Sequence, residues 1–288
     1  MNNPIRTVVF KAAEGGGNPC PVTLNADEMT AEEMRKVAED LGEESIFLMK
    51  PTRDDCDVKA RYFVPLHEME MCIHATIAGA TVLVEQGLAK SSPIFFETHY
   101  GPIQVDWERK DGTVDVAVHQ FLPKYAEKNP SAEQVCKALN IKGEELGEGP
   151  IQSTATSRYK LMVPLASRQI LDDLDPDFEY LWNLCDEYET TGFYPYAVET
   201  NDDGTKTFYA RQFPKRAGYP EDPATGVAAS ALGAYIVKNE IAEVREGWNS
   251  YIIKQGAAMG RPSVLQSDIL VENGKITATR VIGNAELI

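Results

Sequence analysis

Basic side chains are in short supply. Against 44 aspartates and glutamates, the 288-residue chain sets only 28 lysines and arginines, for a net charge of −16. Nucleic acids and anionic membranes are held by clustered Lys and Arg, so neither is expected as a partner. Long apolar runs are missing too: the longest, Ala75 to Val84, is too short to span a bilayer. No C-x-x-C pair occurs among Cys20, Cys56, Cys72, Cys136 and Cys185. Their odd number in a long chain argues against a disulfide framework and leaves four of them as small buried hydrophobes or neutral loop residues. Gly15-Gly-Gly lacks the following G-K-[ST] of a phosphate loop and reads as a flexible turn. Between His67 and His74, potential ligands alternate with apolar residues, and an extended strand would put Glu68, Glu70, Cys72 and His74 on one face. That spacing is not H-E-x-x-H and no second ligand pair follows, so no metal is expected. A signal-peptide pattern is absent, since Met1-Asn-Asn-Pro-Ile-Arg runs straight into the strand-like Thr7–Lys11. The expected location is a reducing cytoplasm.

What is present suits two domains. Strand patterns recur at Arg6–Phe10, Pro21–Leu24, Ser45–Lys50, Val58–Phe63, Ile94–Thr98, Gly101–Glu108 and Thr113–Val118, separated by turn signals. A polar amphipathic helix, Thr30–Leu41, opens with a capping box of Thr30 and Glu33. Ala75–Gln86 is apolar nearly all round, as a buried helix is. The second half repeats the plan with helices at Ala132–Leu139, Phe178–Glu187 and the apolar Thr225–Lys238. Its strands fall near Glu148–Ser153, Tyr159–Pro164, Tyr194–Glu199, Thr205–Arg211 and through the tail from Tyr251. The expected fold is α+β: two pseudo-symmetric barrel-like antiparallel sheets, each around a central apolar helix. The expected domains are 1–122, completed on one reading by the last strand at 278–288, and 123–277.

The strongest signal is an internal repeat. Arg61–Leu83 and Arg211–Tyr235 are imperfect copies 150 positions apart. With their Arg-x-Phe starts in register, Cys72 falls opposite Asp222. A period this long implies a duplicated domain. It also implies a cleft between two equivalent helix starts, whose free N–H groups and positive dipole ends suit a small carboxylate. Cys72, His74 and Asp222, with Glu221 beside it, supply proton-handling groups there. Alone, His74 would be a satisfied core histidine and Asp222 a helix cap before Pro223. Capping does not exclude catalysis. A Cys72 nucleophile would need a base and an orienting third group, and His74 only two positions away is too close for an obvious dyad.

These segments resemble the PhzF-like isomerase family of phenazine biosynthesis, within the wider diaminopimelate epimerase fold. The matches are Gly16-Gly-Asn-Pro-Cys-Pro-Val, Leu41-Gly-Glu-Glu-Ser-Ile-Phe, Glu70-Met-Cys-Ile-His-Ala-Thr, Arg211-Gln-Phe with Glu221-Asp-Pro-Ala-Thr-Gly, and Gly256-Ala-Ala-Met-Gly-Arg-Pro-Ser. The resemblance implies a cofactor-free proton shift on a small carboxylic acid, in an enzyme that is usually a homodimer. It puts the catalytic carboxylate on Glu44, the histidine on His74 and a second acid on Asp222. Substrate contacts would come from Asn18, Cys72, Ile73, Ala75, Thr76, Ser153, Thr225, Gly226 and Val227. The chain departs from the family at Ile73, usually Gly, and at Val227, often Ser; a bulky Ile73 would reshape the pocket. Cys72 also stands where the cysteine epimerases of this fold carry one of two thiols. The reading is therefore an isomerase acting through Glu44. A racemase or epimerase using Cys72 and Asp222, and a non-catalytic small-acid-binding protein, stand as alternatives.

Overall fold

A computed structural model describes residues 3–288. Contacts divide the chain into two compact units, one that runs to His119 and takes in Val281–Ile288, the other Gln120–Arg280. The fold is mixed α+β, with six α-helices among the described residues: α1 (Ala31–Leu41), α2 (Ile73–Glu85), α3 (Ala132–Leu139), α4 (Arg168–Asp172), α5 (Phe178–Glu187) and α6 (Gly226–Lys238). None of them is long and apolar enough to cross a membrane.

The sheets are mixed rather than antiparallel, which corrects the sequence expectation. In the first unit Val22–Thr23 pairs parallel to Ser45–Met49, and Val58–Phe63 parallel to Ile94–Thr98. In the second, Lys160–Pro164 runs parallel to Gly192–Thr200 and Lys206–Ala210 parallel to Gly247–Gln255. Parallel neighbours require a crossover, usually a helix. Here α1 and α2 lie within the first two connections, α4 and α5 within the third and α6 within the fourth. Among these crossovers α2 and α6 are the ones buried on every side, and this is why they are apolar all round. Twelve of the 13 residues of α2 are buried, and α6 has the same length and is buried from Gly226 to Ile236. Each Val, Leu or Ile taken out of water there contributes about 1.5–3 kcal/mol.

The smaller helices are set by local chemistry. Thr30 caps α1 through the amide of Glu33, whose carboxylate returns to the Thr30 amide at 2.8 Å. Gly42 ends α1 at φ 66°, with the amides of Gly42 and Glu43 bonding back to Glu39 and Ala38. Under α1, Met34 and Ala38 pack with Phe47 and Phe63. Helices α3 and α5 pack Val135, Leu139, Leu181 and Leu184 in one cluster with Phe193 of the strand Gly192–Thr200.

Candidate active site

The left-handed turn at Gly42 reverses the chain at the end of α1, so Glu43 and Glu44 lead directly into the strand Ser45–Met49. The two acids then part. Glu43 takes the guanidinium of Arg6 at 2.8 Å. Glu44 is only 12% exposed and meets the start of α2. There Cys72 is the N-cap, in extended backbone with φ −143° and no capping bond from its side chain. The helix begins at Ile73, two residues before the sequence periodicity places it, so His74 lies in the first turn. Thr76 secures this start: its hydroxyl donates to the Cys72 carbonyl at 2.8 Å and lies 2.8 Å from the hydroxyl of Tyr62. The Thr76 side chain is fully buried in these two bonds.

Three chemically different groups converge in this unit. The Cys72 thiol donates to Oε2 of Glu44 at 3.2 Å, and its Sγ lies 3.0 Å from Nδ1 of His74. That Nδ1 is 3.4 Å from the same Glu44 oxygen. Burial, reinforced by the Glu44 charge, pushes the thiol well above its usual range and keeps it protonated at neutral pH. Burial also pulls His74 below its ordinary value, against the opposing pull of Glu44, so the imidazole is neutral. A hydrogen on Nδ1 then gives two donors aimed at one carboxylate oxygen. Nε2 of His74 is buried without a hydrogen-bond partner. Such an atom costs about 1–3 kcal/mol and calls for a role.

The equivalent passage of the second unit corrects the register drawn from sequence. Arg61 and Arg211 are 150 apart, but α2 and α6 start 153 apart. The positional equivalent of Cys72 is therefore Thr225, the N-cap of α6, and Ile73 matches Gly226. Both copies hold the approach alike. Arg61 makes a two-pronged pair with Glu68 at 2.7 and 2.6 Å, and Arg211 one with Glu221 at 2.9 and 2.7 Å. The extra residues fall between Phe213 and Glu221, where no gap-free alignment could register them. Glu68 is thus engaged by Arg61, and the face imagined for Glu68, Glu70, Cys72 and His74 does not form.

Asp222 is buried just before α6 and accepts a hydrogen bond from the Thr225 hydroxyl. Gln255, which sequence reading passed over, completes this turn. Its Nε2 donates to the Asp222 carbonyl and to the Thr225 hydroxyl, and its Oε1 accepts from the Thr225 amide and the Tyr194 hydroxyl. Elsewhere Asn18 is buried on the short strand Asn18–Pro19 beside Val8 and Val9. Ile73, Ala75, Gly226 and Val227 are buried in the first turns of their helices. Ser153 is buried on the strand Gln152–Ala155, and its Oγ has no partner.

Comparison with known proteins fixes the class. An uncharacterized isomerase of Clostridium acetobutylicum is 29% identical over 276 residues, which cover 94% of this chain and 91% of that protein. A trans-2,3-dihydro-3-hydroxyanthranilate isomerase of Pseudomonas aeruginosa is 28% identical over 270 residues, 93% of this chain and 90% of its own. A PhzF-family protein of Bacillus anthracis superposes with a TM-score of 0.88 at 25% identity, covering 100% of this chain and 98% of the other. This is an isomerase. The chain belongs to the PhzC-PhzF family of phenazine biosynthesis-like proteins, whose sequence model matches residues 8–288.

Proposed function

We propose that this isomerase shifts a proton on a small carboxylic acid without a cofactor, and that Glu44 carries the proton. One observation supports the choice of Glu44 over the thiol: Cys72 is held protonated and donates its hydrogen to the Glu44 carboxylate. Nδ1 of the imidazole lies 3.4 Å from the same carboxylate oxygen. Glu44 takes a proton alpha to an electron-withdrawing group and returns it at another carbon. His74 offers the unpartnered Nε2 to a polar group of the substrate, and Asp222 holds a second one. The reaction is of the type named for the Pseudomonas aeruginosa relative. The substrate class is a small acid, with Ile73 limiting its bulk. We read each unit's sheet as barrel-like around its apolar helix and the active form as a cytoplasmic homodimer.

The test is carbon-bound deuterium incorporation in D₂O, followed by NMR over a panel of small carboxylic acids that includes 2-amino acids and cyclic hydroxy-dienes. Exchange or isomerisation that drops about 10²–10⁴-fold in Glu44→Gln supports the reading. Exchange that survives Glu44→Gln and vanishes in Cys72→Ala overturns it in favour of a thiol-dependent epimerase. Ligand-induced line broadening with no exchange in any compound would identify a binding protein.

A further inference from the structure

The Glu44 cluster has a second chemistry. Carboxylate, thiol and imidazole are the three protein donors that zinc-type cations take, and here one atom of each meets the other two at 3.0, 3.2 and 3.4 Å. Donors around a tetrahedral zinc ion stand roughly 3.4–3.6 Å apart, given Zn–S of about 2.3 Å and Zn–N or Zn–O of about 2.0–2.2 Å. The triangle therefore needs to open by no more than about half an ångström. Among the described residues this is the one group of His, Cys, Asp and Glu side chains close enough to hold a metal ion. The charges also balance, since a thiolate, a carboxylate and a neutral imidazole around a dication leave a neutral complex in a buried place. Three protein ligands would leave a fourth position for water.

We propose that Glu44, Cys72 and His74 form a zinc-type cation site whose occupation silences the proton shift. Loading releases one proton, from the Cys72 thiol, puts the hydrogen of the neutral imidazole on Nε2 so that Nδ1 can coordinate, and ties up the carboxylate of Glu44. The binding half stands on the geometry alone. The silencing half rests on the role proposed for Glu44 above.

The test uses the full-length protein, stripped with EDTA and titrated with ZnCl₂ by calorimetry in two buffers of different ionisation enthalpy. Cobalt(II) serves as a spectroscopic probe. Expected are one ion per chain, about one proton released, and a thiolate-to-cobalt charge-transfer band. Cys72→Ser should lose the band and weaken zinc binding on the order of 100-fold. His74→Gln should weaken zinc binding while keeping the band, and Cys56→Ser should change neither. Circular dichroism verifies the fold of each variant. Absence of a thiolate band, or zinc binding unchanged in both Cys72→Ser and His74→Gln, would overturn the site. Zinc binding that leaves solvent exchange unaltered would overturn the silencing. Loss of exchange in EDTA-treated protein without added zinc bears on the function of Glu44 and leaves the binding result intact.

Discussion

Gln255 holds Asp222 in place from 33 residues away. Its amide donates to the Asp222 carbonyl at 2.6 Å, and both residues are buried. A glutamine on a strand suggests a solvent face, yet this one is 2% exposed and bonds four different groups. Gln255→Leu keeps the volume and orphans the Asp222 carbonyl, the Thr225 amide and the Tyr194 hydroxyl. A loss of about 2–3 kcal/mol in urea unfolding is expected, together with a fall in solvent exchange at conditions where the variant is still folded. A cost below about 0.5 kcal/mol would show that the turn stands without it.

Gly256, the next residue, is there for space as well as conformation. Its φ is 81°, and a Cβ would come within 2.2 Å of the Arg261 carbonyl oxygen and 2.7 Å of that of Pro223. Gly260 has φ 69° and nothing within 4 Å of the same position. Gly260→Ala should cost about 1 kcal/mol for the backbone alone, and Gly256→Ala more than about 2. Thermal melts of the two variants give the comparison, and equal melting temperatures would refute it.

The pair Arg61–Glu68 makes a pH prediction. Hydrogen bonding to the guanidinium, which outweighs burial, holds the Glu68 carboxyl below its ordinary value near 4.5. A depressed carboxyl stabilises the fold above its unfolded-state pKa and loses that contribution as pH falls through the folded value. Glu68→Gln should therefore be less stable than wild type by about 1 kcal/mol at pH 7. The gap should shrink steadily below about pH 4.5. Melting temperatures taken from pH 7 to pH 3 check this, and a gap independent of pH would remove Glu68 as its source.

Ile73 occupies the position that Gly226 holds in the other copy, and it is 1% exposed. Ile73→Gly should cost about 4 kcal/mol through the lost side chain and the freed helix backbone. In return it should extend deuterium exchange to bulkier acids on the panel. An unchanged substrate range in the folded variant would mean that Ile73 does not border the substrate.

How far the sequence reaches can be judged residue by residue. Long periodic segments were legible: Ala132–Leu139 and Phe178–Glu187 match their helices end to end, and the capping box of Thr30 and Glu33 marked the start of α1. Two-residue strands such as Asn18–Pro19 and Glu68–Met69 left no period to detect. Strand direction was misjudged because a pattern of burial does not say whether the intervening helix carries the chain back to the same end of the sheet. At the site, residue types were readable and contacts were not. Cys72 reaches Glu44 across 28 positions, and Gln255 had no motif to announce it.

The strand Lys275–Leu287 carries an implication for how the molecule is made. Its last residues pair with the opening strand, Thr7 with Leu287 and Val9 with Ala285, so the chain's final segment belongs to the unit begun by its first. On the ribosome, Gln120–Arg280 is synthesised whole before that segment exists. The unit whose first residues are translated earlier, which carries Glu44 and His74, is therefore closed only after Gln120–Arg280 has been synthesised.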